Sequence, residues 1–106
     1  MRGNCSVSVK PRFDDAIHAP TRLRVCALLR VTGVAEFNTI ATTLELSEAA
    51  LSKTIRNLAE LGYVLTVKQS SPARADARRT TSVALTLRGR AAIDGHLAAL
   101  RELSHP

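Results

Sequence analysis

Between Ser47 and Gly62 the sequence leaves little choice of local structure. Leu51, Ile55, Leu58 and Leu61 recur at i, i+4, i+7 and i+10, which lines apolar side chains along one stripe of an α-helix. Ser47 is a good N-cap, Glu48 suits the positive end of the helix dipole, the small Ala49 and Ala50 fill the first turn, and Gly62 supplies the stop. Immediately upstream, Asn38 reads as the cap of a shorter helix holding Ile40, Ala41 and Leu44, and only Leu44-Glu45-Leu46 separates the two. Two helices joined by so tight a turn make a helix-turn-helix.

The flanking segments complete a small α+β domain that is mainly α. Residues 1–11 are polar and unpatterned and read as a flexible tail, leaving 12–106 as the folded domain. From Phe13 to Val31 two helical pieces meet at His18-Ala19-Pro20, because proline suits a first turn and pushes the residue before it out of the α region. Leu23, Val25, Cys26, Leu28 and Leu29 give the second piece a broad apolar surface, Arg22, Arg24 and Arg30 keep part of it in water, and Thr32-Gly33 ends it. Val34 to Phe37 reads as a short strand. Beyond Gly62, Tyr63–Val67 and Thr80–Leu85 are rich in β-formers, and Ser70–Arg79 between them carries Pro, Ser, Asp and three arginines, which predicts a hairpin with a long basic tip. Thr86 caps a last helix over about 87–104, with Ile93, Leu97 and Leu100 on one apolar stripe and Ala92, Ala99 and Leu103 on a second. The expected order is α-α-β-α-α-β-β-α.

Charge narrows the partner. The chain of 106 residues carries fifteen Lys and Arg against nine Asp and Glu, and eight of the cations against three of the anions fall between Ser47 and Arg90. So concentrated an excess favours a polyanion. The start of the chain lacks the apolar core of a secretory signal and no apolar run is long enough to span a bilayer, so the expectation is a cytoplasmic protein with no membrane partner. Cys5 and Cys26 fit neither a disulfide framework nor a paired C-x-x-C zinc site, and His18, His96 and His105 show no helical ligand spacing; no metal and no cofactor are expected. Scattered glycines without a phosphate-binding loop, and the absence of G-x-S-x-G and H-E-x-x-H, argue against an enzyme.

With Leu51, Ile55 and Leu58 turned inward, the helical period leaves Ala49, Ser52, Lys53, Arg56 and Asn57 outward or on the flanks. Small residues permit close approach to a duplex. Lys53 and Arg56 reach phosphate or guanine, Asn57 can pair with adenine, and the Ser47 hydroxyl with the free amides beside it can hold a phosphate.

The run Ile40-Ala41-x-x-Leu44-x-Leu46-Ser47-x-x-x-Leu51-Ser52-Lys53-x-Ile55-x-x-Leu58-x-x-x-Gly62-Tyr63-Val64 resembles bacterial winged helix-turn-helix regulators of the MarR and ArsR type. Ala19-Pro20-Thr21-Arg22-Leu23-Arg24-Val25-x-x-Leu28-Leu29 is similar to their first-helix motif, and Leu85-Thr86-x-x-Gly89-Arg90 to the entry of their last helix. The resemblance implies a recognition helix over 47–61 for the major groove and a wing over 68–80 on backbone or minor groove, where Lys68, Arg74, Arg78 and Arg79 meet phosphates. It implies double-stranded DNA as partner, an inverted-repeat operator, transcriptional repression and a homodimer. The seam expected for that dimer takes in Ala92, Ile93, His96, Leu97, Ala99, Leu100 and Leu103, with Gly95 allowing close helix approach.

One position departs from the pattern: the turn residue often glycine in these regulators is Glu45 here, where a left-handed backbone costs about 1 kcal/mol or more, so a different turn geometry is open. The chain also lacks the extra helices that give larger MarR proteins an effector pocket, which leaves a small-molecule effector an open question. Two other functional readings remain: a protein-interaction winged helix docking through its last helix, and a redox- or metal-responsive repressor using Cys5, Cys26 or the histidines.

Overall fold

The computed structural model describes residues 9–70 and 79–104. Five helices and three strands follow in the order α1 (Asp15–His18), α2 (Pro20–Thr32), β1 (Val34–Glu36), α3 (Phe37–Leu44), α4 (Glu48–Glu60), β2 (Val64–Ser70), β3 (Arg79–Leu85) and α5 (Leu87–Ser104). This is the mainly helical α+β order read from the sequence.

Asp14 caps α1 through its carboxylate, and Ala19 breaks the helix in an extended conformation before Pro20 restarts the chain as the first turn of α2. At the far end of α2, Gly33 takes φ +79° and returns its N–H to Leu29 O. The chain leaves that cap directly as β1. The sheet is antiparallel, ordered β1-β3-β2, with Ala35 opposite Val83 and Val83 opposite Thr66. Val64 and Val83 face the helices and are buried, whereas Val34, Leu65 and Val67 face out.

The core joins Val25, Cys26 and Leu29 of α2 to Ile40, Leu51, Ile55, Leu58, Val64, Val83 and Ile93, so both helices of the helix-turn-helix rest on α2 and the sheet. The α2 arginines do more than face water. Arg22 donates to Ala16 O of α1, Arg24 to Leu44 O at the end of α3, and Arg30 pairs with Asp94 on α5.

Two sequence expectations change. Asn38 does not cap α3: Glu36 holds the cap position with extended backbone and no side-chain cap bond, and the helix begins at Phe37. Phe37 packs on the core while Asn38 stays exposed, so apolar burial sets the start and overrides the cap preference. Gly95 does not open a helix seam either. The chain's own residues 10–12 cross it, with Lys10 O 3.2 Å and Arg12 O 3.5 Å from where a Cβ would stand, and Arg12 N–H donating to Gly95 O at 2.9 Å.

Candidate nucleic-acid interface

Both helices of the helix-turn-helix end with the same backbone device. After α4, Gly62 N–H donates to Ala59 O at 3.0 Å and Tyr63 N–H to Leu58 O at 3.0 Å, with Gly62 at φ +81°. After α3, Glu45 N–H donates to Thr42 O at 3.3 Å and Leu46 N–H to Ala41 O at 2.9 Å, with Glu45 itself left-handed at φ 56°, ψ 48°. The turn therefore keeps the geometry usual for glycine, despite the Cβ. Leu46 sinking onto the core and Arg24 holding Leu44 O at 2.7 Å fix the chain on both sides of it. Ser47 then caps α4, its Oγ accepting from Ala50 N at 3.1 Å.

On α4 the inward stripe is Leu51, Thr54, Ile55 and Leu58. Ala49, Ser52, Lys53 and Arg56 are exposed, and the helical period brings them onto one face; Asn57 is half-buried on its flank. Glu60 continues the same face at its C-terminal end, so the cationic stretch, Lys53 to Arg56, lies in the middle of the helix. Among the described residues neither Lys53 nor Arg56 is held in an ion pair. Ser47, at the entry, is exposed too.

The wing pairs in register from Val64 opposite Leu85 to Ser70 opposite Arg79, with Lys68 exposed opposite Thr81. Arg79 is the first residue of β3, while Arg74 and Arg78 lie outside the described residues, as do Cys5 and His105. The hairpin is tied to the base of the domain by Thr86. Its Oγ1 donates between Gly62 O at 2.7 Å and Tyr63 O at 3.1 Å and accepts from Gly89 N at 2.9 Å, which makes it the cap read for α5.

The residues read as a dimer seam divide. Ile93, His96 and Ala99 turn into the protomer's own interior, at 0, 1 and 5% exposure. Ala92, Leu97 and Leu100 are half-buried and Leu103 is exposed. Cys26 is buried in the core, and burial together with the Asp14 charge pushes its thiol up to about 11. Among the described residues no group of three or more His, Cys, Asp or Glu is placed to hold a metal ion, and no helix is long and apolar enough to cross a membrane.

Sequence reasoning missed the polar cluster around Asp14. Asp14 accepts from the Tyr63 hydroxyl and its main-chain N–H donates to His96, contacts that span 49 and 82 positions and leave no local signal.

The winged helix DNA-binding domain family matches residues 21–104. Among solved structures, a transcriptional regulator homologue from Pyrococcus horikoshii OT3 is 27% identical with a TM-score of 0.76, over 86% of this chain and 86% of that one. A regulator of the ArsR family is 25% identical with a TM-score of 0.58, over 87% and 91% of the two chains. ZitR of Lactococcus lactis, a zinc-responsive MarR family member, shares the fold at 20% identity and a TM-score of 0.53, over 96% of this chain and 62% of its own. A comparison with functionally curated proteins gives no match. With helix-turn-helix, wing and last helix all inside the matched span, the chain belongs to the winged helix DNA-binding domain family.

Proposed function

We propose that the protein is a transcriptional repressor that binds duplex DNA sequence-specifically as a homodimer, a binding protein rather than an enzyme. The observation that carries this reading is the exposed face of Ala49, Ser52, Lys53 and Arg56 on a helix whose two ends and opposite face are all fixed by the core. Helix 47–61 enters the major groove, where the two alanine-sized positions allow close approach and the two cations reach guanine or phosphate. Asn57, on the flank, reaches a base only at the groove edge. The wing, 68–80, follows the backbone or the minor groove with Lys68, Arg74, Arg78 and Arg79.

The second protomer docks on the surface that α5 leaves uncovered, through Ala92, Leu97, Leu100 and Leu103. A two-fold dimer presents two recognition helices about 34 Å apart, so the operator is an inverted repeat with half-sites roughly one turn apart. The regulators among the similar structures support the same reading.

The test is fluorescence anisotropy with a labelled duplex from the gene's own upstream region against a scrambled duplex at physiological salt. Roughly thousandfold tighter binding to the upstream duplex is the expected result. Absence of binding to either would move the function to protein docking through α5.

A further inference from the structure

Arg24 belongs to α2, outside the helix-turn-helix, yet its guanidinium is directed at it. Nη2 donates to Leu44 O, the last carbonyl of α3, at 2.7 Å across 20 positions of sequence. The other α2 arginines are turned elsewhere: Arg22 donates to Ala16 O of α1, and Arg30 pairs with Asp94 of α5. A cation over the last carbonyl of a helix is favourable in itself, because it meets the negative end of the dipole. That contact uses only one of the guanidinium's N–H donors. Arg24 is exposed, and among the described residues no carboxylate lies within ion-pair distance of it, so the rest of the planar fork is open to solvent and already oriented.

Its place suits a duplex. Ser47, the cap of α4, follows Leu44 by three residues, a span of at most about 11 Å, so the fork stands beside the entry of the helix that carries Lys53 and Arg56. That entry has no cation of its own. The turn holds Glu45 and the first turn of α4 holds Glu48, both exposed, while Lys53 and Arg56 come only in the middle of the helix. A backbone strand passing the mouth of the groove would meet two carboxylates and, without Arg24, no compensating charge. The bond to Leu44 O also restrains the side chain beforehand, so less freedom is lost when a phosphate is bound.

We propose that Arg24 is a DNA-contacting residue that binds one backbone phosphate beside the entry of α4 while it holds Leu44 O, which extends the interface from the helix-turn-helix and wing to α2. The contact rests on the duplex-binding reading above. A phosphate carries no base identity, so Arg24 adds affinity for every sequence and helps fix where the helix enters the groove.

The experiment measures anisotropy of the upstream and scrambled duplexes from about 50 to 200 mM salt with the full chain and its variants. Arg24→Gln removes the charge, Arg24→Lys keeps it, and Arg101→Gln removes an exposed cation from the last turn of α5, outside the interface. A dimer that loses two phosphate contacts loses about 2 from the slope of log affinity against log salt, so for Arg24→Gln the fall over this range is about tenfold smaller than for the parent, on both duplexes. Arg24→Lys and Arg101→Gln are expected to keep the parent slope. Arg24→Ala takes the place of the glutamine variant if that one does not fold. An Arg24→Gln slope no shallower than that of Arg101→Gln would overturn the contact and leave Arg24 as a clip on the turn, because a clip lowers affinity without changing the number of phosphates neutralised. The two readings fail apart: wild-type protein that binds neither duplex at about 50 mM salt removes duplex binding and the contact with it, whereas binding with an unchanged slope in the variant removes the contact alone.

Discussion

The Tyr63 hydroxyl donates to Asp14 Oδ2 at 2.6 Å, joining the link between α4 and β2 to the cap of the first helix. The bond raises the Tyr63 phenol above its ordinary value, with burial and the Asp14 charge adding to it. A raised group contributes stability that is complete below its unfolded value, about pH 10, and is lost as pH rises through the folded one.

Tyr63 is the single tyrosine in a chain without tryptophan, so its ionisation can be followed cleanly by absorbance at 295 nm. We expect the phenolate to form at higher pH in the native protein than in urea. Asp14→Asn should move the native titration back toward the unfolded curve; an unmoved curve would show that burial alone raises the phenol.

Glu45→Gly tests the strain in the turn. The left-handed backbone at φ 56° is costly for glutamate and free for glycine, so the substitution should raise unfolding stability by about 1 kcal/mol. Chemical denaturation gives the answer, and a loss of stability would mean that the Glu45 side chain contributes more than its backbone costs.

Gly89→Ala should have the opposite sign. A Cβ there would stand 2.1 Å from Tyr63 O, a backbone atom that cannot move without disturbing the Thr86 cap and the start of the wing. Overpacking of this kind costs about 3 kcal/mol or more. A melting temperature within a degree or two of the parent would contradict the close packing of α5 on Tyr63.

Cys26, buried and with its thiol near 11, should be inert while the protein is folded. In a Cys5→Ser background, reaction with a disulfide reagent at neutral pH is expected only at the rate of unfolding, and to become fast in denaturant. Rapid native reaction would restore a redox-responsive repressor as a reading.

For DNA, Arg56→Ala should lower specific affinity by about 1–3 kcal/mol if the side chain reads a base, whereas Arg79→Ala should weaken all sequences alike. If the two protomers neutralise about 6–10 phosphates, affinity should fall by roughly 10³ to 10⁵ between 50 and 200 mM salt. Equal specificity ratios in the two variants would show that the roles given to helix and wing are wrong, and a flat salt response would remove the electrostatic model.

Whatever depends on spacing within a few residues was legible in the sequence. The stripe Leu51, Ile55, Leu58, the caps Ser47 and Thr86, the stop at Gly62 and the exposed Lys53 and Arg56 all follow from helical period and capping chemistry. Tertiary structure decided the start of α3, where burying Phe37 outweighs the capping preference of Asn38, and the left-handed Glu45, which the packing of Leu46 and the hold of Arg24 on Leu44 impose. It also decided which face of α5 is interior. Ile93 and His96 lie on apolar-looking stripes that period alone cannot assign to a core or a partner, and only the crossing of residues 10–12 over Gly95 and the bond from Asp14 to His96 settle their direction. Local pattern encodes the geometry of one element, whereas contacts between residues 82 positions apart depend on how all the elements pack.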